Sequence, residues 1–239
     1  MGRCGRLVQA LVERSGIDRR YSVREVQATA KLAAAGVAQC LFALVMMLLL
    51  DLGPAAVLGP VFRADLVVLG AVLGLGELAL ASFLCNVGVR LALLRSGDRG
   101  ADRSAAWLVQ GRGGWMSQFN ATVRTAPAWF AVGSICLYVA VEELVFRGIL
   151  IELLRGAGAV PAVGASLLLF VAAQLFNMPS ARAAAFPAAG AVVVGLVHGV
   201  LYWRVPDVLP LVAAHLTFFV GALGMPLPEA SRVGRAPAW

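Results

Sequence analysis

Polar residues in this chain come in clusters, and between them run long stretches with almost none. The apolar stretches are Leu32–Leu50, Leu66–Val89, Pro127–Leu154, Val160–Phe176, about Ala183–Trp203 and about Val208–Met225. Most approach or exceed the ~20 apolar residues a helix needs to cross the hydrocarbon core of a bilayer. Inside a bilayer the backbone must satisfy its own hydrogen bonds, which selects helices. The pattern therefore predicts an all-α polytopic transmembrane bundle of about six spans. Between the first two spans, Gly53-Pro54 and Gly59-Pro60 mark a short turn-rich loop. Pro161, Pro179, Pro187, Pro206 and Pro210 are expected near the ends of the later spans, where a missing N–H costs little. The implied layout is a basic tail at 1–31, amphipathic if helical, and two N-terminal helices in 32–95. A basic loop at 96–126, a four-helix core at 127–226 and a short tail at 227–239 complete it.

Composition agrees: 60% of the 239 residues are hydrophobic and 14% charged, with a mean hydropathy of +0.84. Such a chain is an integral membrane protein rather than a soluble domain. The net charge of +7 would suit an anionic partner, but the basic residues flank spans, which argues against nucleic acid. With the N terminus inside and six spans, 16 of the 20 Lys and Arg fall on the cytoplasmic side, as the positive-inside rule requires. N-in, C-in is the expected orientation. The first apolar run is too long for a signal-peptide core, so no cleaved leader is expected. Cys4, Cys40, Cys85 and Cys136 show no paired spacing and read as small hydrophobes.

Against this background Val141-Glu142-Glu143-Leu144-Val145-Phe146-Arg147-Gly148 stands out. Two carboxylates and a guanidinium inside a span are expensive, and the default reading is functional. Glu143 and Arg147, four apart, share a helix face and can pair. Glu142 lies about 100° away and can point into the bundle. A purely structural Glu–Arg link between helices accounts for one acid and one base but poorly for the second carboxylate. His198 and His215, the only histidines, lie in later spans. Gln174 and Asn177 offer another polar face at the end of the fourth span. Glu77 interrupts the second span and is either a substrate-facing group or a hydrogen-bonded packing residue, with packing favoured. Gly111-Arg112-Gly113-Gly114 lacks the Lys-Ser/Thr of a phosphate cradle. A metal site is not expected, because zinc takes three or more ligands at recognisable spacings that are missing here. No cofactor is implied.

The Glu142-Glu143-x-x-x-Arg147 set in its apolar setting resembles the first motif of the CPBP family of intramembrane endopeptidases, the CAAX-protease and bacteriocin-processing (Abi) proteins. Phe170-Val171-Ala172-Ala173-Gln174 stands where that family has Phe-x-x-x-His. His215-Leu216-Thr217-Phe218-Phe219 stands where it has His-x-x-x-Asn or Asp. The resemblance covers roughly residues 127–222. It implies a peptidase in which Glu142 activates water, Glu143 and Arg147 support it, and His215 stabilises the oxyanion. Gln174 replaces the water-orienting histidine and Phe219 the oxyanion amide. A glutamine can orient water but is no base near neutral pH, and a phenylalanine offers an oxyanion no donor. His198 is an accessory candidate for the missing imidazole. A silenced relative that binds a peptide, lipid or protein in the same cavity is the alternative. A carrier is a third reading, but no internal repeat supports it. The implied partners are membrane lipids and a peptide or protein substrate in the membrane, with no nucleic acid; the expected location is the bacterial cytoplasmic membrane.

Overall fold

The computed structural model describes residues 23–53, 63–95, 115–176, 178 and 180–224. Asn177 lies outside the described residues, as do the first 22 and the last 15 positions. The described chain is helical throughout: α1 (Val23–Leu49), α2 (Ala64–Arg95), α3 (Trp115–Thr125), α4 (Ala128–Glu143), α5 (Leu150–Leu153), α6 (Ala159–Phe176), α7 (Ala181–Arg204) and α8 (Leu209–Gly224). A π-helical turn, Leu144–Ile149, joins α4 to α5 without breaking the helical path. The fold is an all-α membrane bundle, as the hydrophobic pattern predicts.

Polarity is inverted relative to a soluble protein. Large apolar side chains such as Val37, Leu41, Phe42, Leu48, Val68, Val72, Phe83, Leu168 and Val220 face outward. Glu77, Glu142, Glu143, Arg147, His198 and His215 are buried within. A bilayer rewards the outward surface, and the interior charges must find each other there.

By helix length alone, fewer segments than the six expected spans qualify among the described residues. Four helical segments, Glu25–Leu49, Ala64–Arg95, Ala159–Phe176 and Ala181–Arg204, are long and apolar enough to cross a membrane. The Pro127–Leu154 stretch is divided by the π turn, and α8 has only 16 residues. Three boundaries also move. α1 begins at Val23, inside the segment read as a tail. Within the segment read as a loop, Trp115–Thr125 forms α3, with Met116, Phe119, Ala121 and Thr122 buried. Pro187, expected near a helix end, lies inside α7, a helix whose first turn is capped by the Ser180 side chain accepting from Ala183 N.

α2 and α8 make the closest helix pair. A Cβ on Gly70 would overlap the Pro210 carbonyl oxygen, and one on Gly74 the Ala214 carbonyl oxygen. Only glycine lets the two backbones touch, in the manner of small-x-x-x-small pairs in membranes. The buried face of α2 then runs on through Glu77, Ala81, Cys85 and Val89. This contact delivers Glu77 to the centre of the bundle.

Candidate active site

Four helices and the π turn converge on one buried polar cluster. Glu142 and Glu143 end α4, Arg147 sits in the π turn, Gln174 is on α6, His198 on α7 and His215 on α8. π turns recur at functional sites because the widened turn re-aims side chains and frees backbone groups. Here Ser166 Oγ on α6 donates to the Phe146 carbonyl oxygen at 2.7 Å.

The two adjacent carboxylates have different tasks. Glu143 collects the bases. Its Oε1 accepts from His215 Nδ1 at 2.7 Å and from Arg147 Nη1 at 3.4 Å. Its Oε2 lies 3.0 Å from His198 Nδ1. Glu142 instead faces α6, where Gln174 Nε2 donates to its Oε1 at 2.9 Å. Tyr138, one turn earlier on α4, neighbours Glu142 and also Gln39 of α1.

Arg147 is fully buried. Besides Glu143 it donates from Nη2 to the Val194 carbonyl oxygen of α7 at 3.4 Å, and its guanidinium lies 4.2 Å over the Phe170 ring. The pairing expected from the four-residue spacing is therefore present.

His198 joins the cluster on the side of Glu143, away from the position of the replaced imidazole. Its Nε2 is 3.1 Å from Glu77 Oε1 of α2. Neither of its carboxylate contacts has hydrogen-bond alignment, so both hold by charge and proximity. Glu77, for which packing was favoured, is thus a member of the cluster. Its signal was a single acid in an apolar span. Tyr138 was missed, and its signal was its place one turn before Glu142.

Phe219 is buried on α8. Its ring packs edge-on against Phe119 of α3, centroids 4.5 Å apart, in an apolar cluster with Leu32 and Ile135. Where the resemblance implies an oxyanion amide, α8 carries a hydrophobic anchor for α1 and α3. Among the described residues, no cluster of three or more His, Cys, Asp or Glu could hold a metal ion.

A cavity of about 20 Å³ opens beside the cluster, lined by Gln174, His215, Phe170, Pro187, Val194 and Phe218 among others. That is room for about one water molecule. The amide that holds the buried Glu142 and a carboxylate-backed imidazole thus line a water-sized space. Residues 124–220 match the family of type II CAAX prenyl endopeptidases, Rce1-like. The likeness to this family covers that span, about two fifths of the chain. The match holds the Glu142-Glu143-x-x-x-Arg147 motif, Gln174, His198 and His215 and leaves α1 and α2 outside. No curated protein and no solved structure matches the chain. The match and the long apolar helices together support an integral membrane protein.

Proposed function

We propose that the protein is an intramembrane endopeptidase that hydrolyses a peptide bond of a membrane-associated substrate, with Glu142 as the base. The observation that carries this is the division of labour between the two carboxylates. Glu143 is engaged by Arg147, His198 and His215, while Glu142 is held by the neutral amide of Gln174. Its carboxylate is oriented without being committed to a hydrogen-bonded cation. A water in the cavity loses a proton to Glu142 as its oxygen adds to the substrate carbonyl carbon. His215 Nε2 faces the oxyanion, steadied by Glu143 on Nδ1. The C–N bond then breaks, and the proton on Glu142 passes to the departing amine.

A second reading rests on Phe219. With an apolar ring at the oxyanion position, the site lacks a donor of the kind whose loss typically costs about 10²–10³ in rate. In a silenced relative the cavity would bind a peptide, lipid or partner and Glu142 would do no chemistry.

The test compares the membrane peptidomes of cells carrying the wild type, Glu142→Gln and a deletion. Glu142→Gln keeps size and hydrogen bonding but removes the base, so turnover should fall about 10²-fold or more with folding intact. Fragments lost in the deletion should be lost in Glu142→Gln as well. A Glu142→Gln strain indistinguishable from wild type wherever the deletion has an effect would leave the silenced reading standing.

A further inference from the structure

The peptidase scheme uses Glu142, Gln174 and His215 and leaves two buried ionisable groups without a task. These are Glu77, 2% exposed, and His198, fully buried. Glu77 lies on α2, outside the family-matched segment 124–220. Such groups are costly to bury, and their arrangement suggests what they do. Four side chains from four helices form a line. Glu77 Oε1 is 3.1 Å from His198 Nε2, and His198 Nδ1 is 3.0 Å from Glu143 Oε2. Glu143 Oε1 is 2.7 Å from His215 Nδ1. The line ends at the cavity, which His215 lines.

A carboxylate turns freely about its last bond unless both oxygens are engaged. Arg147 and His215 share Oε1, while Oε2 has no aligned hydrogen-bond donor and lies against the His198 ring. The orientation of Glu143, and with it the tilt of the His215 ring, therefore depends on where His198 stands. His198 is steadied from its far side by Glu77, which the Gly70 and Gly74 contact with α8 holds at the bundle centre. Because Oε1 is an acceptor, the His215 Nδ1 position carries hydrogen, and Nε2 is the atom left for the cavity.

We infer that Glu77 and His198 are positioning residues. They clamp Glu143 from behind so that it holds His215 with Nε2 turned to the cavity. α2, which precedes the matched core, thus completes the site, supplying by orientation part of what the Phe219 position no longer gives. The catalytic consequence rests on the peptidase reading; the structural one does not.

Because the chain has only two histidines, the test can read each ring directly. The full-length protein, labelled with ¹⁵N-histidine, is placed in phosphatidylglycerol–phosphatidylethanolamine nanodiscs, and His215→Phe assigns the two rings. In the wild type, His215 should show a hydrogen-bonded Nδ1–H to a carboxylate and an unprotonated or cavity-facing Nε2. Glu77→Leu should weaken or split the His215 Nδ1–H signal although residue 77 does not touch that ring. His198→Ala should do the same. The double variant should be no worse than either single one, as expected for one line of contacts. An unchanged His215 signal in either folded variant overturns the inference. Where Glu77→Leu does not fold, His198→Ala and Glu77→Gln decide. Gln keeps an oxygen toward His198, so its His215 signal should stay near wild type while that of His198→Ala does not. Substrate fragments supply the second readout: turnover should fall about tenfold in Glu77→Leu at unchanged KM and recover largely in Glu77→Gln. A changed His215 signal in a protein that cleaves nothing would sink the peptidase reading and leave the clamp.

Discussion

At the scale of single residues, burial decides what each charge is worth. Arg147 is fully enclosed between Glu143, the Val194 carbonyl and the Phe170 ring. Arg147→Ala removes the guanidinium that shares Glu143 Oε1 and leaves a cavity under Phe170. Breaking a buried pair from one side typically costs about 3–5 kcal/mol. The two histidines still face Glu143, so the lower figure is expected, read as a lower melting temperature in the same detergent. Equal melting of variant and wild type would contradict the assignment. Phe219 and Gln174, the two departures from the family pattern, should respond differently to restoration. Gln174→His places an imidazole beside Glu142 and should raise turnover alone. Phe219→Asn removes a ring from the Leu32–Phe119–Ile135 cluster and buries an amide there, so it should destabilise by about 3 kcal/mol. A melting series of the two single variants separates them: a stable Phe219→Asn protein would show that this ring does not anchor α3. The Glu142-Glu143-x-x-x-Arg147 set was legible in the sequence because four-residue spacing is local information. That His198 would face Glu77 and Glu143 rather than Gln174 was not, since it depends on how α7 rotates against α2 and α4.

At the scale of elements, the site depends on two local devices. One is the π turn at Leu144–Ile149, whose freed Phe146 carbonyl is taken up by Ser166. Periodicity of apolar residues does not reveal such a turn, because a π turn differs from an α turn in its hydrogen-bond register and not in its residue types. The other is the glycine seam of α2. Gly70 and Gly74 are visible as a four-residue repeat, but many glycines in this chain have open space around them. Only the partner helix tells which ones matter. Gly74→Leu would drive a side chain into the Ala214 carbonyl and push α2 away from α8 one turn before Glu77 and one residue before His215. The expected result is a loss of several kcal/mol of stability, in the range of overpacked cores, with cleavage abolished. Gly76→Leu, at a position with no atom within 4 Å of an added Cβ, should leave both nearly unchanged. If the two variants melted alike in detergent, the α2–α8 contact could not be what carries Glu77 into the site.

At the scale of the whole molecule, the directions of the helices bear on the number of crossings. Gly70 meets Pro210 and Gly74 meets Ala214, so α2 and α8 run parallel. Gly195 meets Leu167 and Gly199 meets Val163, so α6 and α7 run antiparallel. Glu142 meets Gln174 while Phe146 meets Ser166, which makes α4 antiparallel to α6. His198 meets Glu77, while Leu201 and Val205 share a cavity with Leu66, Leu69 and Leu73, so α7 runs antiparallel to α2 and directions alternate through α2, the α4–α5 segment, α6, α7 and α8. A parallel α2–α8 pair with α6 and α7 between them needs one more crossing, and the α4–α5 segment supplies it. With α1 this favours the six spans of the hydrophobic pattern over the four set by helix length alone. On the expectation that the basic residues lie inside, Ser180 belongs on the cytoplasmic side and Val205 on the opposite one. The cavity beside His215 reaches toward Phe186 and Pro187 in the first turns of α7, the end of the bundle that this orientation puts toward the cytoplasm. In a background without the four native cysteines, Val205→Cys should react with an impermeant maleimide added to intact cells. Ser180→Cys should react only after the membrane is permeabilised. The reverse labelling would invert the orientation, and labelling of both from outside would remove a crossing between α6 and α8. Either result would place the acid cluster in a different leaflet from the one this bundle assigns to it.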